Sequence, residues 1–351
     1  MKHYKWPSIG QYREVVRNIE RRARFAGVDE RGEPIINIAA DYPTLEFVGT
    51  VKLHGTNAAV VIGDGEHWFQ SRERIITPEK DNAGFAVFAT AKIACFINIA
   101  KEIRNKVAQY NGQDIAIYGE WCGGNIQNNV AINQLPKMFV IFGIDLIDKN
   151  EVRTHLGRDQ AYKVSDNSEL VNENIYSIHG FLEFNCIIDF NNPKTIQNNL
   201  NEITSAVELE CPVAKKLGVN GVGEGVVWRC ISPEYESADF WFKVKGEKHS
   251  KSKVKTLAVV DVERMDSIEK IVRRVAHNGR LEQMHQQVFD TLNGGQTNVG
   301  KLGAFIKAVM GDILKEEIDL LATNSVSGKE IGGMVSKRCR EFIMNQLNTN
   351  T

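Results

Sequence analysis

The sequence contains no long apolar run. None of its 351 residues belongs to a stretch of 18 or more consecutive apolar residues, so it offers no candidate transmembrane helix. The first residues, MKHYKWPSIGQYRE, also lack the apolar segment of a secretory signal peptide. We therefore expect a cytoplasmic protein that does not associate with membranes.

Cysteine is scarce and scattered. No two cysteines form a CxxC pair, which argues against a zinc cluster or a disulfide framework. Because cysteine is among the residue types most often buried, we expect most of these thiols to lie in the core. The six cysteines are Cys95, Cys122, Cys186, Cys211, Cys230 and Cys339.

The chain as a whole also lacks an excess of charge of either sign. Its net charge is −1, so no global basic field indicates nucleic acid. The distribution is uneven, because residues 1–246 carry 27 basic and 31 acidic side chains whereas residues 247–351 carry 16 and 13. The segment KVKGEKHSKSKVK, residues 243–255, holds six lysines and one glutamate. It is either a solvated linker or a strip that follows a phosphate backbone.

The composition is otherwise that of a globular protein, with 42% hydrophobic and 25% charged residues, and the length favours two domains. The first two thirds alternate apolar segments with turn residues and two helical segments, and the last third has a helical pattern. This organisation indicates an α+β body followed by an α-helical tail. Segments rich in Val, Ile, Phe and Trp predict strands at 46–53, 57–62, 67–71, 114–119, 138–147, 182–189, 224–231 and 239–245.

The helical segments have distinct sequence signals. Residues 81–110 predict one long amphipathic helix, and a second helix is predicted to begin at the cap Asn192 with Pro193 in its first position. Later in the chain, apolar residues such as Ile268 and Val272 recur on one helical face. We therefore predict an α+β domain at 1–246, a linker at 247–256 and an all-helical C-terminal domain at 257–351.

One lysine stands where a cation is costly. Lys52 follows the apolar segment EFVGTV and precedes the small-residue turn LHGTN and a second apolar segment. Between two strands its ammonium would lie near apolar walls, and desolvation favours the neutral amine, which is the nucleophilic form. Gly55 would let a phosphate-bearing ligand approach the backbone. Lys52 could equally extend from a hairpin end into solvent, and this stretch alone does not decide between the two.

Further segments supply complementary chemistry. Glu120 ends an apolar strand, Phe142 lies within another, and Glu224 begins a third. Lys243 and Lys245 are two residues apart in FWFKVK, so both ammoniums point to one face of a strand. A nucleotide bonded to lysine requires cations for its phosphates, carboxylates for Mg²⁺ and the ribose, and an aromatic plane for its base. Each residue could be structural, but together they favour a nucleotide site.

In these segments the sequence resembles the ATP-dependent RNA ligase 2 family of the covalent nucleotidyltransferases, which includes bacteriophage RNA ligases and kinetoplastid editing ligases. KLHGTN is similar to the nucleotidyl-lysine motif, with His54 where DNA ligases and capping enzymes have Asp. SRERI, YGEW, VIFGI, GEGVVW and FKVK resemble the motifs that follow, and YKWPSI resembles the opening of the family. The resemblance covers nearly all of the first 250 residues.

The resemblance implies a nucleotidyltransferase (adenylyltransferase) domain of packed antiparallel sheets with flanking helices. It also implies that Lys52 is the nucleophile that carries AMP, that Phe142 packs on adenine and that Glu224 binds the metal. We expect His54 and Asn57 to hydrogen-bond the nucleotide or the nucleic acid. The implied catalytic residues are Lys52, Arg72, Glu224, Lys243 and Lys245. The implied nucleotide-binding residues are Lys52, His54, Gly55, Asn57, Arg72, Glu120, Phe142, Glu224, Lys243 and Lys245.

The implied reaction joins RNA ends in RNA repair. ATP would donate AMP, first to lysine and then to a 5′-phosphate, and Mg²⁺, which Mn²⁺ can replace, would orient the phosphates. The expected partner is RNA with a 5′-phosphate and a 3′-OH, especially nicked duplex RNA, and the expected state is a monomer. If the protein is phage-encoded, its cytoplasm is that of the host.

The chain departs from the family pattern at two positions. Gly143 stands directly after the second aromatic residue of motif IIIa, where an acid is usual, and Asp145 follows two residues later. Val51 precedes the lysine where some members have Glu. No role is therefore carried over to Asp145 or Val51.

Two other classes stay open at the level of sequence. ATP-dependent DNA ligases and mRNA capping guanylyltransferases share the lysine and both glutamates. They usually continue into a β-rich OB-fold, whereas this tail has a helical pattern. A non-catalytic RNA- or nucleotide-binding relative would keep the fold and lose the nucleophile, but Lys52 is present.

Overall fold

The computed structural model describes residues 1–106, 112–165, 167–249, 262–289 and 295–349. The chain forms two units, Met1–Ile19 with Pro43–Ala258 and Glu20–Tyr42 with Val259–Thr351. The predicted domain limits at residues 246 and 257 stay a prediction, and residues 250–256 of the predicted linker lie outside the described residues. None of the described helices combines the length and the apolar character that a membrane crossing requires.

The elements of the described residues follow in chain order. The strands are β1 (Phe25–Val28), β2 (Pro34–Ile36), β3 (Thr44–Lys52), β4 (Thr56–Ile62), β5 (His67–Ser71), β6 (Ile75–Ile76), β7 (Gly112–Cys122), β8 (Met138–Asp148), β9 (Arg153–His155), β10 (Ile175–Ser177), β11 (Glu183–Asp189), β12 (Gly225–Cys230) and β13 (Trp241–Lys245). The helices are α1 (Tyr12–Arg24), α2 (Phe85–Ala91), α3 (Ile93–Lys106), α4 (Arg158–Ser165), α5 (Ser168–Asn172), α6 (Gln197–Leu209), α7 (Pro212–Lys216), α8 (Val262–Val275), α9 (Asn278–Phe289), α10 (Leu302–Glu316), α11 (Ile318–Thr323) and α12 (Gly328–Thr349).

Two sheets form the body of the first unit. One has the strand order β10-β8-β7-β4-β5-β6, with β9 paired to β8, and the other has the order β11-β3-β12-β13. The pairs within them are antiparallel except that of β10 with β8, which is parallel. The α+β prediction is confirmed, and each of the eight predicted strand segments coincides with an observed strand.

The larger sheet buries both of its faces. On β4, Ala58 and Val60 belong to an apolar cluster that includes Phe85 and Phe96 of the helices α2 and α3. The alternate residues of β4, such as Val61, belong to a different cluster that contains residues of the N-terminal segment and of β13. Because side chains alternate along a strand, one apolar run supplies both cores.

The helix predicted over residues 81–110 is wrong in one respect. It is divided into α2 and α3 at Lys92, which has the non-helical dihedrals φ −112° and ψ 16°. The backbone N–H of Lys92 is shared between the carbonyls of Phe88 and Ala89, which tightens and ends the first helix. Residues 107–110 of the prediction lie outside the described residues.

The predicted start of the next helix is also wrong. Helix α6 begins at Gln197, five residues after the expected cap Asn192. The backbone N–H of Asn192 bonds the carbonyl of Asp189, and the side chain of Asp189 accepts the N–H of Asn191 at 2.9 Å. Residues 189–192 therefore form a turn, because short polar side chains compete with helical hydrogen bonds.

The described helices α8 to α12 surround an apolar core of their own, in the second unit. Ile268 and Val272 are buried in it, as the helical periodicity predicts. Cys339 is also buried there, and four of the other five cysteines are buried in the first unit. The prediction that most cysteines are core thiols is confirmed.

The N-terminal segment inserts Trp6 into the first unit. Its ring lies 4.7 Å from the ring of Tyr118 and 5.2 Å from that of Phe142, measured between centroids, and stacks on Trp241 at 5.6 Å. A Cβ atom at Gly143 would lie only 2.1 Å from Cη2 of Trp6. The absence of an acid at position 143 therefore has a steric reason, since the indole fills the space that its side chain would need.

We expect Gly143→Ala to destabilise the first unit by about 1–3 kcal/mol, because the added methyl group overpacks the Trp6 site. Chemical denaturation followed by tryptophan fluorescence measures the loss. Gly157→Ala is the matched control, since no heavy atom lies within 4 Å of a Cβ there. Equal denaturation midpoints for the two variants would contradict this prediction, because they would show that the indole of Trp6 can shift without lowering the free energy of unfolding.

Candidate active site

Strand register brings three sequence motifs to one edge of the smaller sheet. Gly225, the first residue of β12, lies opposite Lys52 at the end of β3 and opposite Lys245 at the end of β13. A Cβ at Gly225 would lie 2.2 Å from the carbonyl oxygen of Val244, so glycine permits this close pairing. The residue before it, Glu224, is thereby placed between two lysines that are almost 200 residues apart in sequence.

Glu224 is the centre of a buried ion cluster. Its carboxylate is 2% exposed, and it accepts from Lys52 Nζ at 2.7 Å on one oxygen and from Lys245 Nζ at 2.7 Å on the other. Burial opposes ionisation, but the two ammoniums outweigh it and lower the pKa of Glu224. Lys52 therefore has a charged partner that the sequence analysis did not foresee, as a partly buried ammonium requires.

A cavity of about 370 Å³ opens beside this cluster. It is bordered by the ends of strands from both sheets and by the N-terminal segment. The predicted site residues that line it are Lys52, Gly55, Asn57, Arg72, Glu120, Phe142, Lys243 and Lys245. The structure thus brings together eight of the ten predicted nucleotide-binding residues, with Glu224 directly behind Lys52 and Lys245.

One end of the cavity is cationic. Lys243 lies opposite Val227 in the β12–β13 pair, on the same face as Lys245. Among the described residues its ammonium has no ion pair, and burial together with the charges of Lys52 and Lys245 lowers the pKa of Lys243. Arg72 follows β5 and donates to Ser8 Oγ at 3.0 Å. These cations supply more positive charge than Glu224 neutralises.

Glu120 lies on the larger sheet, in register with Asn57. Its Oε1 accepts the backbone N–H of Gly55 at 2.9 Å, and burial raises the pKa of Glu120 to about 7. A Cβ at Gly55 would lie 2.3 Å from the carbonyl oxygen of Trp121. The close approach that requires glycine at position 55 is therefore made by the neighbouring strand, and not only by a ligand as the sequence suggested.

His54 is not among the residues that line the cavity. It lines a neighbouring space with Asn128, Asn129 and Lys248, and its Nδ1 lies 3.4 Å from Glu224 Oε2. Burial lowers the pKa of His54, so the imidazole is neutral at pH 7. The imidazole can therefore donate or accept a hydrogen bond next to Lys52 without adding charge.

The lining of the cavity also includes aromatic and apolar side chains. Phe142 and Val227 line it together with Trp6, Pro7 and Ile9 of the N-terminal segment. The sequence analysis noticed YKWPSI only as a family resemblance and assigned no role to its residues. It also missed Arg229, although this residue lies at period two from Gly225 and Val227 in GVVWR, a spacing that places all three on one face.

Asp145 lies outside this cavity. Its carboxylate, which is 5% exposed, forms an ion pair with Arg153 and lies 2.9 Å from His155 Nδ1. Both oxygens are thus engaged by β9. Asp145 therefore has a structural role in joining β8 to β9, and it does not replace the acid that the family has at position 143.

Comparison with known proteins agrees with the motifs. A family model described as RNA ligase matches residues 45–245. No curated protein sequence gives a match. A Naegleria gruberi RNA ligase variant solved with ATP and Mn is 16% identical over 71% of this chain and 58% of that chain, with a TM-score of 0.44. The structure of that ligase with PPi is 17% identical over 70% of this chain and 57% of that chain, with a TM-score of 0.41.

The chain spans less than two thirds of the length of these solved structures. The family model, in contrast, covers more than half of this chain and includes the residues of the ion cluster and every residue that lines the cavity except Trp6, Pro7 and Ile9. The chain belongs to the RNA ligase family.

Proposed function

We propose that the protein is an ATP-dependent RNA ligase that joins 3′-OH and 5′-phosphate ends of RNA, at nicks in duplex RNA. The observation that carries the proposal is the position of Lys52. Its amine lies at the cationic end of the cavity, 2.7 Å from a carboxylate oxygen of Glu224 that can accept its proton. A reactive amine, a proton acceptor and a set of cations at one end of a cavity are the groups that nucleotidyl transfer to lysine requires.

The proposed reaction has three steps. The Lys52 amine attacks the α-phosphorus of ATP, so that a phosphorus–nitrogen bond forms and pyrophosphate leaves. A 5′-phosphate oxygen of the RNA then attacks the same phosphorus, which breaks the bond to nitrogen and yields an adenylylated 5′-end. Finally a 3′-OH attacks the 5′-phosphorus, a phosphodiester forms and AMP leaves. Positioning and charge neutralisation supply most of the catalysis in such transfers.

The cavity provides a place for each part of ATP. Lys243, Lys245 and Arg72 would neutralise the phosphates, and Glu120 would accept from the ribose hydroxyls. Phe142 would pack on the base from one side and Val227 from the other, since both line the cavity.

The donor set fits a divalent cation that is shared with the substrate. Mg²⁺ is usually held by one or two carboxylates, by phosphate oxygens and by water, and Glu224 is the carboxylate next to Lys52. Lys52 or Lys245 would have to leave one oxygen of Glu224 so that the metal could bind it. The ATP phosphates would offer the displaced ammonium a new partner. When bound, Mg²⁺ or Mn²⁺ would supply neutralisation of phosphate charge.

The RNA-binding part of the proposal rests on the family and on charge. The segment 247–351 carries the surplus of positive charge, and phosphate contacts position a polynucleotide end. Six residues of the lysine-rich segment, 250–255, lie outside the described residues. The helical domain at 257–351, the monomeric state, the role in RNA repair and the cytoplasmic location stay predictions.

Incubation with labelled ATP and a divalent cation should attach one AMP to the protein, and Lys52→Ala should abolish the label because Lys52 is the amine to which the proposal assigns the attack. Denaturing electrophoresis detects the label, and peptide mass spectrometry locates it. Labelled GTP is the parallel test, since a capping guanylyltransferase would take GMP. AMP on another lysine would overturn the assignment, and absence of any label would indicate a non-catalytic relative.

The protein should also seal nicks in RNA and in DNA at different rates. The unsubstituted protein should seal a 5′-phosphorylated nick in duplex RNA, and Lys52→Ala should not. Gel analysis of the same nick in duplex DNA is the control for the DNA ligase alternative. Sealing of DNA faster than RNA would contradict the proposed substrate.

Replacing Lys243 or Lys245 with methionine should change the stability of the protein in opposite directions and should slow AMP transfer in both cases. Lys243→Met should raise the melting temperature, because burial and the neighbouring ammoniums disfavour its charge, whereas Lys245→Met should lower it by removing a partner of Glu224. Both variants should transfer AMP about a hundredfold more slowly, or slower still. Preorganised cations stabilise the charge that develops on the phosphate, so losing one raises the activation free energy by several kcal/mol. Lys215→Met, which removes an exposed lysine, is the control and should change stability by about 0–1 kcal/mol. AMP transfer at the unsubstituted rate in both site variants would exclude a phosphate role.

Glu120→Gln should make the protein more stable above pH 7 and weaken its function. An unfolded glutamate ionises near 4.5, whereas the pKa of folded Glu120 is about 7, so stability falls as pH rises between these values. Glutamine does not ionise, so the variant does not undergo this loss of stability, which is on the order of 3 kcal/mol. The variant should also transfer AMP more slowly, because the amide has one acceptor atom for the ribose.

Melting temperatures between pH 4 and 8.5 test the stability effect. Relative to the unsubstituted protein, the melting temperature of Glu120→Gln should rise as pH rises, whereas that of Glu79→Gln should fall. The reason is that the hydrogen bond from Thr77 lowers the pKa of Glu79. A stability gain for Glu120→Gln that is the same at pH 4 and pH 8 would show that Glu120 does not titrate in this range.

A further inference from the structure

The cavity lining includes one cation, Arg229, that the proposed chemistry does not use. Arg229 lies on β12 and lines the cavity, on the same face as Gly225 and Val227. Its Cα lies about 13 Å along the strand from that of Gly225, at about 3.3 Å per residue. Gly225 marks the position of Lys52 and Lys245, so Arg229 is at the far end from the cationic cluster.

In the part of the chain that the structure describes, Arg229 contacts aromatic rings but no acidic side chain pairs with it. The guanidinium carbon lies 4.7 Å from the ring centre of Trp241 and 5.6 Å from that of Trp6. Its Nε is buried without a hydrogen-bond partner, and among the described residues no ion pair involves the guanidinium. Asp145 is the acid whose charge acts on Arg229, but both of its oxygens are engaged by Arg153 and His155.

This arrangement is costly unless a ligand completes it. Burial lowers the pKa of Arg229 to about 10, yet the side chain is still a cation at pH 7. A buried donor without an acceptor loses the hydration that it has in the unfolded chain. The two indoles fix the plane of the guanidinium and compensate part of this loss through cation–π contact. An acceptor atom brought by a ligand would satisfy the remaining donors.

The order of groups along this face corresponds to the order of groups in a purine nucleotide. Lysines at one end suit phosphates, Val227 and Phe142 in the middle suit the faces of the base, and the guanidinium at the other end suits an edge of the base. Arginine offers only donors, so it requires an acceptor. The acceptors on the two exposed edges of adenine are the ring nitrogens N1 and N7.

We propose that Arg229 is a specificity-determining residue that donates a hydrogen bond to N1 or N7 of the base. The inference rests on the proposed function, in which the cavity receives ATP. The indole rings of Trp6 and Trp241 hold the guanidinium in place before the nucleotide arrives. Guanine presents O6 and N7 to the same donors, so Arg229 selects for acceptors on the base edge and not for adenine alone.

Equilibrium binding of AMP, 1-deaza-AMP and 7-deaza-AMP to the full-length protein tests the inference, since each analogue lacks one ring acceptor. One of the two analogues should bind the unsubstituted protein about tenfold to a hundredfold more weakly than AMP. In Arg229→Met, AMP should lose affinity by a similar factor, and both analogues should then bind as AMP does. Arg229→Lys, which keeps the charge, should retain part of the discrimination.

A purely structural role of Arg229 would change the melting temperature and leave the ratios between AMP and its analogues unchanged. Arg158→Met is the matched control, because Arg158 lines a neighbouring cavity, which Arg229 also borders, but does not line this one. The inference is overturned if neither analogue binds the unsubstituted protein more weakly, if Arg229→Met keeps the same ratios, or if no purine nucleotide binds.

Two further measurements separate this inference from the proposed function. If ring-nitrogen discrimination depends on Arg229 but no lysyl-AMP forms, the ligase proposal fails and the assignment of Arg229 stands. If GTP and GMP bind more tightly than ATP and AMP, the donor nucleotide is wrong, whereas the role of Arg229 is supported by its preferred acceptors.

Discussion

The sharing of one buried carboxylate by two lysines is the interaction on which the site depends. Glu224 is 2% exposed and holds Lys52 on one oxygen and Lys245 on the other. Removing either lysine leaves a carboxylate that burial disfavours, and removing Glu224 leaves two ammoniums at the same strand ends. The register of β3, β12 and β13 is therefore tied to the chemistry, because a shift by one residue would turn Lys52 or Lys245 away from Glu224.

A second constraint is set by the N-terminal segment, which completes the wall of the cavity. Trp6 contacts Phe142 of the larger sheet and Trp241 of the smaller sheet, so one indole connects both sheets. Gly143 provides the space for that indole. The departure of the motif from its family pattern and the presence of Trp6 are thus two parts of one packing solution. This solution also positions Arg229, whose guanidinium lies over Trp6 and Trp241.

Several residues of the site lower the stability of the fold. Lys243 is partly buried near other cations, Glu120 is a carboxyl whose pKa burial raises to about 7, and Arg229 has a buried donor without a partner. None of these features is required to pack the sheets. Under the proposed function, each of them would become favourable when phosphate, ribose or a base edge is present, which is the usual relation between stability and function at active sites. This is the physical content of assigning the cavity to a nucleotide.

The sequence by itself determined the longer strands, the helical character of the tail and eight residues that line the cavity, because apolar periodicity and motif spacing are local properties. The short strands β1, β2, β6, β9 and β10, the break at Lys92 and the start of α6 were not predicted, since they depend on hydrogen bonds whose competition the local pattern does not reveal. Only the tertiary structure decided that Lys52 is paired with Glu224 and that Arg229 lies in the same cavity. The reason is that strand pairing across almost 200 residues sets which charges meet, and burial then sets whether a charge finds its partner within the protein or must wait for a ligand.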